Sequence, residues 1–344
     1  MNTEVIAVDP AGPDASVIEH AAAVLRHGGL VAFPTETVYG LGAVLTDRRA
    51  LRRVFEAKGR PATDPLIVHI SDAGDAVELV TAWPDAAVEL AERFWPGPLT
   101  LVVPRSALIP DEVCGGGPSV GVRVPAHPVA RAVIAAARVA VAAPSANRFG
   151  RVSPTDAAHV IDELDGRIDL VLDGGPTPLG IESTVLDLTG EVPRLLRPGG
   201  VTVEDLRSVL GDVEAPERIV VDEATVASGP GQLLSHYAPS TPVVLVEAGA
   251  TAMDALIAGL AARGTVVAEV VLADEGELAA RDLYRNLRAA DQPDVDLLVV
   301  KARSGAGMGR AVNDRLFRSA QGRVVTDASA ATLDRLCRLV GQAT

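Results

Sequence analysis

The 344-residue chain reads as an α/β protein of two domains. Three observations carry that reading. Short apolar runs rich in β-branched residues alternate with longer stretches of helical period along almost the whole chain. The length exceeds what one small domain usually holds. The alternation breaks once, from Asp212 to Pro242, in a stretch that carries Gly229-Pro230-Gly231 and Ala238-Pro239-Ser240-Thr241-Pro242. Such turn chemistry suits a connector, and long ordered connectors are often functional.

In chain order, a helix is expected over 17–26, closed by Gly28-Gly29, then a strand over 30–33. Asp47 can cap a helix to Ala57, with Gly59 just past its end. A strand follows at 66–70, and a helix at 85–94 after Trp83-Pro84. Strands are expected at 99–103, 120–124 and 139–143, with a helix at 127–137 between the last two. A helix at 155–164 precedes strands at 168–172, 184–188 and 194–196. Thr202 caps a helix to Leu210, with Glu204 and Asp205 in its first turn, and the first domain closes near Gly211. Beyond the connector, strands at 243–246, 265–270 and 295–300 alternate with helices at 252–262, 277–289 and 310–320. Those strands are near-continuous apolar runs, the pattern of a parallel sheet covered on both faces.

Composition excludes several classes. Hydrophobic residues make up 48%, enough for packed cores, and no apolar run reaches the length of a membrane span. The first ten residues have no basic stretch leading into an apolar one, so no secretory leader is expected. Two distant cysteines, Cys114 and Cys337, make neither a disulfide framework nor a metal cluster and fit a reducing cytoplasm. The net charge of -14 argues against a broad nucleic-acid footprint but leaves room for a local basic pocket.

The common nucleotide fingerprints are missing: no G-x-x-x-x-G-K-[ST] and no G-x-G-x-x-G after the first strand. H-E-x-x-H, C-x-x-C and G-x-S-x-G are missing too, so metal and serine hydrolase readings lack support. Gly305-Ala306-Gly307-Met308-Gly309 precedes a helix and is either an anion cradle or a tight turn. The loops at strand ends of the first domain are richer. They are 34–40, 144–155, 180–184 and 197–199, and they bring hydroxyls, amides and cations to a sheet edge, where open α/β sheets bind ligands. Of 31 basic residues only Lys58 and Lys301 are lysine. Lys58 stands beside Arg60 at a loop entrance, a point charge next to a guanidinium fork, and the pair suits a phosphate-rich ligand.

These loops carry a resemblance. PTETVYGLG (34–42), KGRP-x-x-x-PLIVHI (58–70), WPGPLTLV (95–102), VGVRVPAHP (120–128), APSAN (143–147), GIESTVLDL (180–188) and LLRPGG (195–200) resemble, in content and order, the YrdC-like family. The connector, with Pro230-Gly231 and His236-Tyr237-Ala238-Pro239, and GMGRAVNDRL (307–316) are similar to the linker and small second domain of its two-domain members, the L-threonylcarbamoyladenylate synthases. The resemblance covers essentially the whole chain. It implies a YrdC-like twisted open-sheet domain with a concave basic pocket at 1–212, a linker or lid at 213–241, and a smaller Rossmann-like α/β domain at 242–344.

It also implies the activity. L-threonine, bicarbonate and ATP would give threonylcarbamoyl-AMP and pyrophosphate, the first step of tRNA threonylcarbamoyladenosine modification. A downstream tRNA threonylcarbamoyl transferase complex would use the product. The K-x-R and S-x-N positions fall on Lys58, Arg60, Ser145 and Asn147, which would hold ATP phosphates, with Lys58 and Arg60 the catalytic cations. Ser119, Ser153 and Arg197 match further nucleotide positions, and Tyr237 one that closes over the nucleotide. Thr35, His69, Arg123, Ala143 (through its backbone) and Ser183 match the L-threonine pocket. By its residues alone, His69 is either a satisfied core histidine or a substrate contact. Mg2+ would accompany ATP on phosphate oxygens, with no dedicated protein metal site. Asp64 stands where relatives usually carry Asn, either as a magnesium ligand or as a capping side chain. Cytoplasmic location, no membrane and no stable nucleic-acid binding are expected. Two other readings stay open: a carbamoyl-AMP-forming enzyme, and a non-enzymatic RNA-binding protein.

Overall fold

Fourteen strands and twelve α-helices make up the computed structural model, which describes residues 2–218, 234, 236–247 and 249–343. The expected bend at Gly229-Pro230-Gly231 lies outside these residues. The strands are β1 (Glu4–Ala7), β2 (Val31–Phe33), β3 (Gly40–Val44), β4 (Ile67–His69), β5 (Leu99–Pro104), β6 (Ser119–Arg123), β7 (Val141–Ala142), β8 (Leu170–Asp173), β9 (Thr184–Asp187), β10 (Arg194–Arg197), β11 (Val243–Val246), β12 (Val267–Val270), β13 (Leu297–Lys301) and β14 (Val324–Val325). The chain divides into two compact units. One holds the residues up to Phe149 and from Ser153 into the connector. The other holds Gly150–Val152 and the residues from Leu234 on.

In the first unit, ten strands form one mixed sheet in the order β1-β8-β2-β3-β7-β4-β6-β5-β9-β10. Both faces of its inner strands are buried, whereas edge strand β1 is largely exposed. Along β2 the side chains alternate: Leu30 and Ala32 enter one apolar cluster, while Val31 and Phe33 enter the other. Helix boundaries follow their caps. Asp14 accepts from the amides of Ser16 and Val17 ahead of helix Ala15–Arg26, and Asp47 caps helix Arg48–Lys58. Gly59 ends that second helix in the left-handed region at φ 62°, where a side chain would be strained. Thr202 and Asp205 form a capping box at helix Val203–Leu210.

In the second unit, four parallel strands run in the order β12-β13-β11-β14, as the apolar runs foretold. Helices Ala250–Ala261 and Ala330–Ala343 contact each other, as do helices Gly276–Ala290 and Met308–Ser319. The sequence reading put residues 34–40 in a loop and did not extend strand structure through Gly40–Val44. It also passed over β1, β14 and helix Ala330–Ala343. No described helix is long and apolar enough to cross a membrane.

Candidate active site

The central strands of the first sheet position the site. β4 pairs in parallel with β6, so His69 stands beside Arg123. Both are almost wholly buried. The His69 ring lies against the Ile67 carbonyl, with Nδ1 at 3.2 Å. A carbonyl only accepts, so Nδ1 carries the proton and Nε2 keeps the lone pair. Burial, helped by the Arg123 charge, pushes the His69 pKa down to about 3, so the ring is neutral.

Arg123 is held from three sides. Its Nε donates to the Gly97 carbonyl at 3.1 Å, and its Nη2 donates to Glu36 Oε1 at 2.7 Å and to Thr37 Oγ1 at 3.1 Å. The loop between β2 and β3 supplies those last two acceptors. Thr35 folds it: its Oγ1 accepts from the amides of Thr37 and Val38 and lies 2.7 Å from Thr37 Oγ1. Ala143 follows β7 and donates its amide to Ile67, which ties the 143–155 loop to β4.

Lys58 ends helix Arg48–Lys58 and is only 2% exposed. Its Nζ donates to the carbonyl oxygens of Ser145 and Asn147, so these two residues act on Lys58 through their main chain. Burial, with Arg60 adding repulsion, holds the Lys58 pKa well below its ordinary value. Lys58 is thus buried rather than open at the loop entrance, and removing Nζ would leave two inward carbonyls without that donor. Arg60 folds back on its own loop, donating to the Asp64 and Pro65 carbonyls and pairing with the Asp64 carboxylate at 3.0 Å.

Ser153 donates to Glu182 Oε1. Arg197, at the end of β10, donates through Nε to the Ser183 carbonyl at 3.0 Å and through Nη2 to Ser183 Oγ at 3.1 Å. Ser183 Oγ lies 2.8 Å from Thr100 Oγ1. The close turn after Arg197 depends on Gly199, where a Cβ would collide with the backbone of Glu182, Ser183 and Thr184. Thr35, Lys58, Arg60, Asp64, His69, Arg123, Ala143, Ser145, Asn147, Ser153, Ser183 and Arg197 are thus knit into one loop system.

Two expected residues make none of the contacts just described. Ser119 opens β6, four residues from Arg123 and so about 13 Å along the strand. Tyr237 belongs to the second unit, where it stacks on Tyr284 at 5.6 Å, lies under the Arg315 guanidinium at 5.2 Å and gives its carbonyl to Ser319. Sequence reasoning missed the carboxylates Glu36 and Glu182. Both lie inside the quoted motifs, and a search for cations that hold phosphate passed over them. No group of three or more His, Cys, Asp or Glu able to hold a metal occurs among the described residues. The Asp64 carboxylate pairs with Arg60.

A ten-stranded mixed sheet with Lys58, Arg60, Arg123 and Arg197 at its strand ends and loops, followed by a parallel α/β unit, defines a two-domain YrdC-like architecture. A family model described as "Telomere recombination", covering Sua5, YciO and YrdC proteins, matches residues 23–199. A model described as "Threonylcarbamoyl-AMP synthase, C-terminal domain" matches residues 201–321. The threonylcarbamoyl-AMP synthase of Pyrococcus abyssi is 42% identical over 90% of this chain and 95% of its own length. That of Bacillus subtilis is 40% identical over 90% and 94%. A crystal structure of P. abyssi Sua5 complexed with L-threonine superposes with a TM-score of 0.90 at 40% identity, covering 94% of this chain and 99% of that one. This chain belongs to the threonylcarbamoyl-AMP synthase family.

Proposed function

We propose that the protein makes L-threonylcarbamoyl-AMP from L-threonine, bicarbonate and ATP, releasing pyrophosphate. The observation that carries this reading is the bonding of Arg197, an expected nucleotide contact, to Ser183, an expected threonine contact. A site that joins an amino acid to a nucleotide needs its two ligands meeting across shared groups. The P. abyssi relative seen with L-threonine supports the choice of amino acid.

The chemistry is balanced and needs no protein nucleophile. The threonine amine combines with bicarbonate to give a carbamate and water. A carbamate oxygen then attacks the α-phosphorus of ATP, and pyrophosphate leaves with the bonding electrons. The protein brings two anions together and stabilises charge on the phosphoryl oxygens. In this reading Lys58, Arg60 and Arg197 face the nucleotide, with Ser119, Ser145, Asn147 and Ser153 completing that side. Arg123 grips the threonine carboxylate. Thr35, Ser183 and the Ala143 backbone surround the rest, and the free Nε2 of His69 is an acceptor for the threonine hydroxyl. Magnesium enters as part of MgATP, on phosphate oxygens. The product is short-lived in water, which fits consumption by a tRNA-modifying transferase in the cytoplasm. The catalytic domain in this proposal is 1–212, followed by a linker at 213–241 and a second domain at 242–344.

The test is pyrophosphate release from ATP and bicarbonate with L-threonine, L-serine, 2-aminobutyrate or no amino acid. L-threonine should be preferred over 2-aminobutyrate, because a lost hydroxyl leaves buried polar groups unpaired at about 1–3 kcal/mol. Full activity without any amino acid would point instead to carbamoyl-AMP formation. No pyrophosphate release under any condition would leave only a binding role.

A further inference from the structure

We propose that Glu36 is the acidic half of an amino-acid receptor whose basic half is Arg123: Glu36 Oε1 fixes the guanidinium, and Glu36 Oε2 receives the α-amino group of the substrate. This inference rests on the reading of the site as one that takes L-threonine.

The two oxygens of Glu36 have different fates. Oε1 accepts from Arg123 Nη2 at 2.7 Å. Oε2 is buried and has no hydrogen-bond partner among the described residues, on a side chain that is 13% exposed. A buried carboxylate oxygen without a donor costs free energy, and native structures supply a partner for such groups. A purely structural ion pair accounts for Oε1 and leaves Oε2 unexplained.

The guanidinium is divided in the same way. Nε and both hydrogens of Nη2 are used by Gly97, Glu36 and Thr37. Nη1 donates to none of the described residues, so one arm of the fork is left for a ligand carboxylate. An α-amino acid carries its carboxylate and its amino group on one carbon. A ligand held by Nη1 therefore presents its amino group close to the carboxylate that is bonded to the neighbouring Nη2. The Glu36 backbone is fixed for the task. Its carbonyl accepts from the Leu179 amide at 3.0 Å, and the Thr35 turn holds the residues on either side. His69 beside Arg123 is neutral and offers no competing charge. Oε2 accepts an N–H from the ammonium and equally from the neutral amine, so the contact survives the proton loss that carbamate formation requires.

Calorimetric binding of two ligands decides the matter: L-threonine, and 2,3-dihydroxybutanoate, which keeps the carboxylate and side chain but has a hydroxyl in place of the amino group. The wild-type protein should prefer threonine. Glu36→Gln can still accept from Arg123 through its amide oxygen, but it turns an NH2 toward the ligand amino group. It should weaken threonine on the order of 10- to 100-fold while moving the dihydroxy acid by no more than about threefold. Glu36→Asp keeps the charge and should retain part of the preference. ATP affinity, measured alongside, should be unchanged in both variants. Equal weakening of both ligands by Glu36→Gln would reduce Glu36 to a prop for Arg123 and overturn the proposal, as would no change in either. A wild-type protein that binds no threonine would sink the reading of the site itself, and this inference with it.

Discussion

His69 shows how one residue type acquires a role from its surroundings. An exposed histidine would be partly charged near neutrality. Here burial and the neighbouring Arg123 keep it neutral down to about pH 3. A charged ring would repel Arg123, whereas a neutral one presents a lone pair beside it. The same depression has a stability consequence. The unfolded chain binds a proton at this residue below its ordinary pKa of 6.5, and the fold refuses it until about 3. Stability from this residue is therefore complete above pH 6.5 and is lost as pH falls from there toward 3. Between pH 7 and pH 5 the loss should be about 2 kcal/mol. Urea unfolding at both values should show that loss in the wild type and a smaller one in His69→Gln. Equal losses in the two proteins would mean that the ring is protonated in the fold or that the unfolded chain does not charge it. The sequence alone left this histidine between core and substrate readings. Its burial beside Arg123 is compatible with both readings.

At the scale of elements, the loops do what the strands permit. β9 and β10 pair antiparallel, and the turn after β10 lays Gly199 against the backbone of 182–184. That approach puts Arg197 on Ser183 and keeps Glu182 against Ser153. Gly199→Ala should force these segments apart. Its pyrophosphate release should fall at least tenfold, and the variant should be less stable by about 1–3 kcal/mol. A thermal melt beside the rate assay checks both effects, and wild-type values in both would mean that the turn relaxes freely. Helices with side-chain caps, such as Arg48–Lys58 and Val203–Leu210, were legible because Asp47 and Thr202 announce their starts. β3 was not. Its sequence, Gly40-Leu41-Gly42-Ala43-Val44, has two glycines and no alternation, since both of its faces are buried. Gly42 is there because Phe33 and Val141 fill the space a side chain would need, a tertiary fact that no local pattern records. The candidate site residues could be named as a set because their motifs are long. The Glu36–Arg123 pair could not, since the partners are 87 residues apart and only the sheet joins them.

Over the whole molecule, the preference for arginine acquires a physical sense. Arg60, Arg123 and Arg197 in the first unit, and Arg315 and Arg318 in the second, are all at most 9% exposed. A guanidinium spreads its charge over five donors and can be satisfied inside a protein by carbonyls, hydroxyls and carboxylates together. The lysine retained in the site is correspondingly pushed toward its neutral form. In the second unit the same device stabilises helix Met308–Ser319. Asp314 pairs with Arg315 at 2.7 Å and with Arg318 at 3.0 Å, and Arg315 lies in turn over the Tyr237 ring at 5.2 Å. Asp314→Asn keeps the shape and removes the charge the two arginines share. Breaking one side of a buried ion pair costs on the order of 3 kcal/mol. Hydrogen exchange should consequently quicken across helix Met308–Ser319 and across β11, which packs against it. Replacing Tyr237 by Leu should have a smaller effect on the same peptides, because it removes a ring contact of about 1 kcal/mol and leaves the ion pairs in place. Unchanged protection in Asp314→Asn would show that the aromatic and aliphatic packing of this helix holds it without the shared carboxylate.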